Sequence, residues 1–161
     1  MMVSRPTPAF AYSHPAHVIA FGFGAGLARF APGTWGTAAA WLPGLLLGEA
    51  HPLAIVALVA ALFVLGVWAC EVTARHLGVS DHGSLVWDEI VAFLLVAALL
   101  PRSLGWQLAG FVLFRAFDIG KPPPIRWVER RWPGGFGVMF DDLLAAGYAL
   151  LVLALVRRLF S

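Results

Sequence analysis

Charge is scarce in this sequence. Asp, Glu, Lys and Arg make up 12% of its 161 residues, against 60% apolar ones. The mean hydropathy of +0.82 excludes an ordinary soluble domain. Apolar stretches recur over the whole length, which indicates a membrane-embedded chain. Basic runs are also missing: none exceeds Arg130-Arg131 or Arg157-Arg158, and the net charge is only +2. That argues against a nucleic-acid partner, which needs a concentrated basic footprint. Cysteine is nearly absent. Cys70 stands alone inside an apolar run, so no intrachain disulfide forms, and it reads as a packed small hydrophobe. Residues 1–17 lack the apolar core of a signal peptide. No serine or cysteine has a nucleophile–base arrangement, and no cofactor fingerprint occurs. The length suits a single domain over residues 1–161.

What is present is a series of apolar runs. Residues 53–70 carry no charge and would form a helix about 27 Å long, close to the hydrocarbon thickness. Further runs cover 85–100, 104–117 and 139–156. Upstream, 37–47 reads as helical despite Pro43, and 17–30 as an interfacial helix. Between residues 119 and 137 the run Pro122-Pro123-Pro124 predicts a loop. The expected fold is all-α: a compact polytopic membrane helix bundle of about four to five membrane-embedded helices plus interfacial segments.

Five of the acids stand at three edges of these runs: Asp88-Glu89, Asp118 and Asp141-Asp142. Counting crossings puts them together. If 85–100 leaves one side, 104–117 returns to it, so Asp118 shares that side with Asp88 and Glu89. The proline-rich loop stays there, and 139–156 starts there with Asp141 and Asp142. Backwards along the chain, 53–70 ends on that side and 37–48 begins on it. Arg5, Arg29, Arg75, Arg115, Lys121, Arg126, Arg130 and Arg131 fall on the same side, and Arg102, Arg157 and Arg158 on the other. The excess makes the acidic side cytoplasmic by the positive-inside rule.

Acids at helix starts also serve the helix dipole alone. Two such pairs on one side as Asp118 ask for more, because adjacent carboxylates near lipid need a cation. Oxygen-only ligands favour Mg²⁺ or Mn²⁺ over Zn²⁺. The Gly22–Gly26 stretch is neither a GxGxxG nor a P-loop. The segment Pro32-Gly33-Thr34-Trp35-Gly36-Thr37 reads as an irregular turn entering a helix. Its free N–H groups with the Thr34 and Thr37 hydroxyls would suit a phosphate, although a plain threonine cap uses the same residues. Arg115 and Lys121 flank Asp118, as an ion pair or as phosphate ligands. Arg126, Arg130 and Arg131 suit anionic head groups, and Trp127 and Trp132 an interfacial belt. His82 stands near Asp88 as a candidate general acid. His14, His17, His51 and His76 read as surface or interfacial residues.

Four segments in order resemble the phosphatidylglycerophosphatase A family of bacterial membrane lipid phosphatases. They are Gly24-Ala25-Gly26-Leu27 with Ala31-Pro32-Gly33-Thr34-Trp35-Gly36-Thr37, then Trp87-Asp88-Glu89-Ile90-Val91. Phe114-Arg115-Ala116-Phe117-Asp118-Ile119-Gly120-Lys121-Pro122 follows, with Pro124-Ile125. The fourth is the stretch from Gly134 to Gly147 around Asp141-Asp142. The resemblance implies Mg²⁺-dependent removal of the terminal phosphate of phosphatidylglycerophosphate, giving phosphatidylglycerol, at the cytoplasmic face of the inner membrane. On that reading Asp88, Glu89, Asp118, Asp141 and Asp142 are the metal and catalytic set. Thr34, Thr37, Arg115 and Lys121 bind the phosphate. Two alternatives carry the same acids: a phosphatase for another lipid phosphate, and a non-enzymatic divalent-cation carrier.

Overall fold

Proline opens four of the helices, where its missing N–H is no loss and its fixed φ suits the first turn. These are α1 (Pro8–Ala11), α2 (Pro15–Ala20), α3 (Pro32–Leu47) and α4 (Pro52–Leu77). A 3₁₀ segment, Gly22–Leu27, lies between α2 and α3. Then come α5 (Trp87–Leu99), α6 (Leu104–Gly120), α7 (Ile125–Arg131) and α8 (Gly135–Leu159). The structure is a computed structural model describing residues 5–159. The first four residues of the segment read as free of a signal peptide, and the chain end at Ser161, lie outside the described residues. Among the described residues there is no strand, so the all-α expectation holds.

The boundaries differ from the hydropathy reading in instructive ways. Helix α4 runs seven residues past the apolar stretch, through Glu71 and Arg75, to Gly78 in the left-handed region at φ 72. A charge ends an apolar run, but only a backbone signal such as a left-handed glycine ends a helix. The expected interfacial helix over 17–30 is broken. Gly22, Phe23 and Gly24 all take positive φ, which no right-handed helix accommodates. The expected loop over 119–137 holds α7, which begins directly after Pro124. The three prolines exclude a helix through themselves and leave the next residue free to start one.

Two helices, α4 with 26 residues and α8 with 25, are long and apolar enough to cross a membrane. Helix α5, at 13 residues, reaches about 20 Å and falls short of the hydrocarbon thickness. It is the central element instead. Val91, Ala92, Phe93, Val96 and Ala97 are all buried, and α5 packs against α3, α4, α6 and α8. Helix α3 runs parallel to it. Gly33 at the start of α3 lies against Glu89, while Gly44 near its end lies against Ala97 and the Leu94 carbonyl. That close approach needs glycine: a Cβ at Gly44 would sit 2.6 Å from the Ala97 Cβ. Between α3, α5 and α6, Trp41 stacks on Phe111 and Phe93 meets both edge-on, at centroid separations of 5.4–6.1 Å.

The two ends of the bundle differ. At one, Arg102 meets Glu49 at 2.6 Å and the Leu45 carbonyl at 3.0 Å. There too the buried Gln107 donates to the Ala97 and Pro101 carbonyls and closes the end of α5. At the other end stand the starts of α3, α5 and α8 and the end of α6. Large apolar side chains on the outside remain exposed, among them Leu53, Val56, Val64 and Trp68 on α4, Val112 on α6 and Leu151 on α8. His17, expected at a surface, is buried instead. Its Nε2 lies 2.8 Å from His76 Nδ1, and its Nδ1 lies 3.0 Å from the Phe10 carbonyl. Burial lowers its pKa below the ordinary histidine value, against the opposing pull of that carbonyl.

Candidate active site

The end of the bundle that gathers the helix starts contains a cavity of about 320 Å³. Its walls include the five acids Asp88, Glu89, Asp118, Asp141 and Asp142, a sixth acid from the loop before α5, and the cations Arg115 and Lys121. Helix α5 delivers Asp88 and Glu89 in its first turn, α8 delivers Asp141 and Asp142, and α6 delivers Arg115 and Asp118 in its last turns. All five predicted acids and both predicted cations therefore line one space. Thr34 and Thr37 do not line it. The helix starts at Pro32, earlier than expected, with Ala31 as an N-cap that offers no side-chain bond. Thr37 is buried inside α3, and its hydroxyl donates to the Gly33 carbonyl at 2.8 Å.

The acids divide into two groups. One oxygen each of Asp88, Glu89 and Asp142 lies within 4.8 Å of the others. Asp88 Oδ1, Glu89 Oε2 and Asp142 Oδ2 are buried with no hydrogen-bond partner. Buried carboxylate oxygens left bare are costly, and a hard cation is the partner that satisfies several at once. An all-oxygen donor set of this kind fits Mg²⁺. The second group is already paired. Arg115 meets Asp118 Oδ2 at 2.5 Å and Glu89 Oε1 at 3.4 Å, with both partners of each pair mostly buried. Lys121 Nζ meets Asp141 Oδ2 at 2.7 Å and Glu129 Oε1 at 2.8 Å. Burial acts to lower the Lys121 pKa, but the hydrogen bonds to Asp141 and Glu129 outweigh it and leave the amine above its ordinary value. Lys121 therefore stays a cation.

Backbone shape contributes as much as charge. Ala31 and Lys121 line the cavity, and both hold positive φ without being glycine. Such strain is retained where the surroundings dictate the conformation. Gly33 has no room for a side chain: a Cβ there would run into Glu89 Oε1 and come within 3.0 Å of the Arg115 guanidinium. The start of α3 can thus approach the Glu89–Arg115 pair only through glycine.

The chain matches the family described as Phosphatidylglycerophosphatase A over residues 18–157. A phosphatidylglycerophosphatase A of Haemophilus influenzae is 44% identical over 160 residues, 98% of either chain. One of Escherichia coli K12 is 44% identical over 135 residues, 83% of this chain and 78% of the relative. The chain belongs to the phosphatidylglycerophosphatase A family. It is therefore a phosphatase, and the matched segment contains every residue of the cavity named so far. A Bacteroides thetaiotaomicron relative, provisionally named a phosphatidylinositol-3-phosphatase, is 37% identical over 148 residues, 87% of this chain and 92% of its own length. No solved structure matches the chain.

Sequence reasoning missed two residues of this family member's site. Glu129 reaches Lys121 from α7, an element expected as loop. Its signal was the i, i+3, i+4 spacing of Ile125, Val128 and Glu129 on one helical face. Asp81, left without a role, lines the cavity from the loop before α5. Burial, opposed by Lys121, raises its pKa above the ordinary carboxylate value.

Gly33→Ala tests the close approach. Alanine favours a helix over glycine by ~1 kcal/mol, so α3 itself should not suffer. The displaced Glu89–Arg115 pair should nonetheless lower kcat/KM by roughly tenfold or more, since small misplacements in a catalytic site are expensive. Wild-type kcat/KM in Gly33→Ala, with helix content unchanged by circular dichroism, would remove the contact from the account.

Proposed function

We propose that this chain hydrolyses the terminal phosphate of phosphatidylglycerophosphate to give phosphatidylglycerol, with Mg²⁺ as cofactor. The observation that carries the reading is the convergence of Asp88, Glu89 and Asp142, with bare buried oxygens, beside Arg115 and Lys121. The relatives from Haemophilus influenzae and Escherichia coli, named for this activity, support it.

In this reading Asp88, Glu89 and Asp142 hold the metal, and Asp118 and Asp141 complete the acidic set. Mg²⁺, when bound, supplies a Lewis acid that polarises the phosphoryl oxygens. Arg115 and Lys121 bind those oxygens, and Arg115 offsets the charge that develops on them. Arg115 can do so without leaving Asp118, because its guanidinium carries five donors and its buried Nε has no partner. Asp118, held in place by Arg115, is positioned as the base that takes a proton from the attacking water. Water oxygen bonds to phosphorus, the bond to the glycerol oxygen breaks, and a proton goes to that oxygen. The products are the lipid alcohol and inorganic phosphate.

The reading also extends to the membrane. Helices α4 and α8 are long and apolar enough to cross, and exposed Leu, Val and Trp side chains surround the bundle. A soluble monomer rarely exposes so much apolar surface. We take α3, α5 and α6 as embedded beside α4 and α8 in a bacterial inner membrane, with the cavity at the cytoplasmic face. The basic residues gathered on that side, against Arg102, Arg157 and Arg158 on the other, support this orientation. The exposed Trp127, Arg126, Arg130 and Arg131 suit the head-group layer. A second reading, a phosphatase for a different lipid phosphate, is favoured by the name of the Bacteroides thetaiotaomicron relative.

Purified protein in detergent should release phosphate from phosphatidylglycerophosphate, and faster than from phosphatidylinositol 3-phosphate or phosphatidic acid. EDTA should abolish the release and Mg²⁺ restore it. Asp88→Asn and Asp142→Asn should each lose roughly 100-fold or more, since changes to residues merely supporting metal ligands already cost 10–100-fold. A preference for another lipid would select the second reading, and EDTA-resistant turnover would remove the metal. For orientation, a reporter fused after Ser161 should be active only outside the cytoplasm. Cytoplasmic activity would mean that one of these helices does not cross.

A further inference from the structure

Lys121 is the chain's only lysine. Its backbone ends α6 in the left-handed region at φ 42, with its N–H bonded to the Phe117 carbonyl at 2.8 Å. The backbone is therefore held, while four methylenes of side chain remain free to swing. Two carboxylates hold the far end: Asp141 Oδ2 at 2.7 Å and Glu129 Oε1 at 2.8 Å. An ammonium has three N–H groups. Two are taken, and Lys121 lines the carboxylate cavity, which leaves the third for an occupant of that cavity.

Glu129 is an unexpected partner. It is the only acid on α7, a helix that also carries Arg126, Arg130 and Arg131. A glutamate beside arginines on a short surface helix ordinarily makes solvated pairs with them. Here Arg126 donates to the Gly120 carbonyl at 3.3 Å, and Glu129 shares the inner face with buried Ile125 and Val128. From there it reaches across to α6. The pair is too exposed to matter much for stability, with side chains 22% and 41% accessible. Its effect is on where the ammonium sits.

We propose that Glu129 is a positioning residue: together with Asp141 it fixes the Lys121 ammonium so that the remaining N–H meets the phosphoryl oxygens of a lipid phosphate. The proposal rests on the phosphatase reading above. Glu129 acts only through Lys121, so its effect depends on Lys121 being present. Glu129→Ala should raise KM for phosphatidylglycerophosphate about tenfold, with kcat, Mg²⁺ dependence and Tm near wild type. Glu129→Gln keeps the shape and an acceptor and should raise KM less. In a Lys121→Met background, which itself binds substrate more weakly, Glu129→Ala should change KM by no more than about twofold. Unchanged KM in Glu129→Ala overturns the proposal. So does a tenfold rise that persists in Lys121→Met, because α7 would then act by packing. An active wild type with either result sinks the proposal alone. Wild-type protein that releases no phosphate sinks the phosphatase reading, and the proposal with it.

Discussion

Burying Asp88, Glu89 and Asp142 within 4.8 Å of one another is the constraint on which the rest of this structure turns. Each desolvated carboxylate carries a penalty of several kcal/mol, and the protein's own hydrogen bonds leave one oxygen of each unmatched. A fold that keeps such a cluster at the end of an apolar bundle has to provide rigid supports and nearby counter-charge. Helix α5 is the support. It is short, apolar on all sides and packed by α3, α4, α6 and α8, so its first turn cannot move the acids apart to relieve their repulsion.

Counter-charge arrives in two separate units. Arg115 ties Glu89 to Asp118, and Lys121 ties Asp141 to Glu129. Asp88 and Asp142 sit between these units without a cation in hydrogen-bond reach among the described residues. The arrangement keeps the cluster short of positive charge while placing two cations at its rim. That is what a site needs if it is to hold a divalent ion and also receive a phosphate. The glycine at position 33 lets the start of α3 close one wall against the Glu89–Arg115 pair, and the left-handed Ala31 just before it turns the chain into that helix.

Much of this could be read from the sequence because desolvation leaves a mark in hydropathy. Acids stand where apolar runs begin or end, and the parity of crossings brings Asp88, Glu89, Asp118, Asp141 and Asp142 to one end, where the structure has them. Four features escape it, for different reasons. Glu71 and Arg75 end the apolar run but not the helix, which continues to Leu77, because hydropathy measures solvent preference and not backbone geometry. The 17–30 segment looked helical because Phe23 carries no sign in its side chain that its φ is positive. Thr34 and Thr37 suit a phosphate turn only if the helix begins after them, and Pro32 opens it earlier, at the position proline favours. Glu129 escapes because Pro122-Pro123-Pro124 predicts a loop, and that signal outweighs the short helical face shared by Ile125, Val128 and Glu129.

The central claim is that Asp88, Glu89 and Asp142 form a divalent-cation site before any substrate arrives. Mn²⁺ can stand in for Mg²⁺ and be followed by electron paramagnetic resonance in detergent, without lipid phosphate. Saturable Mn²⁺ binding, displaced by Mg²⁺ and lost in Asp142→Asn, is the predicted result. Mn²⁺ binding that is unchanged in Asp142→Asn, or absent from the wild-type protein, would contradict it.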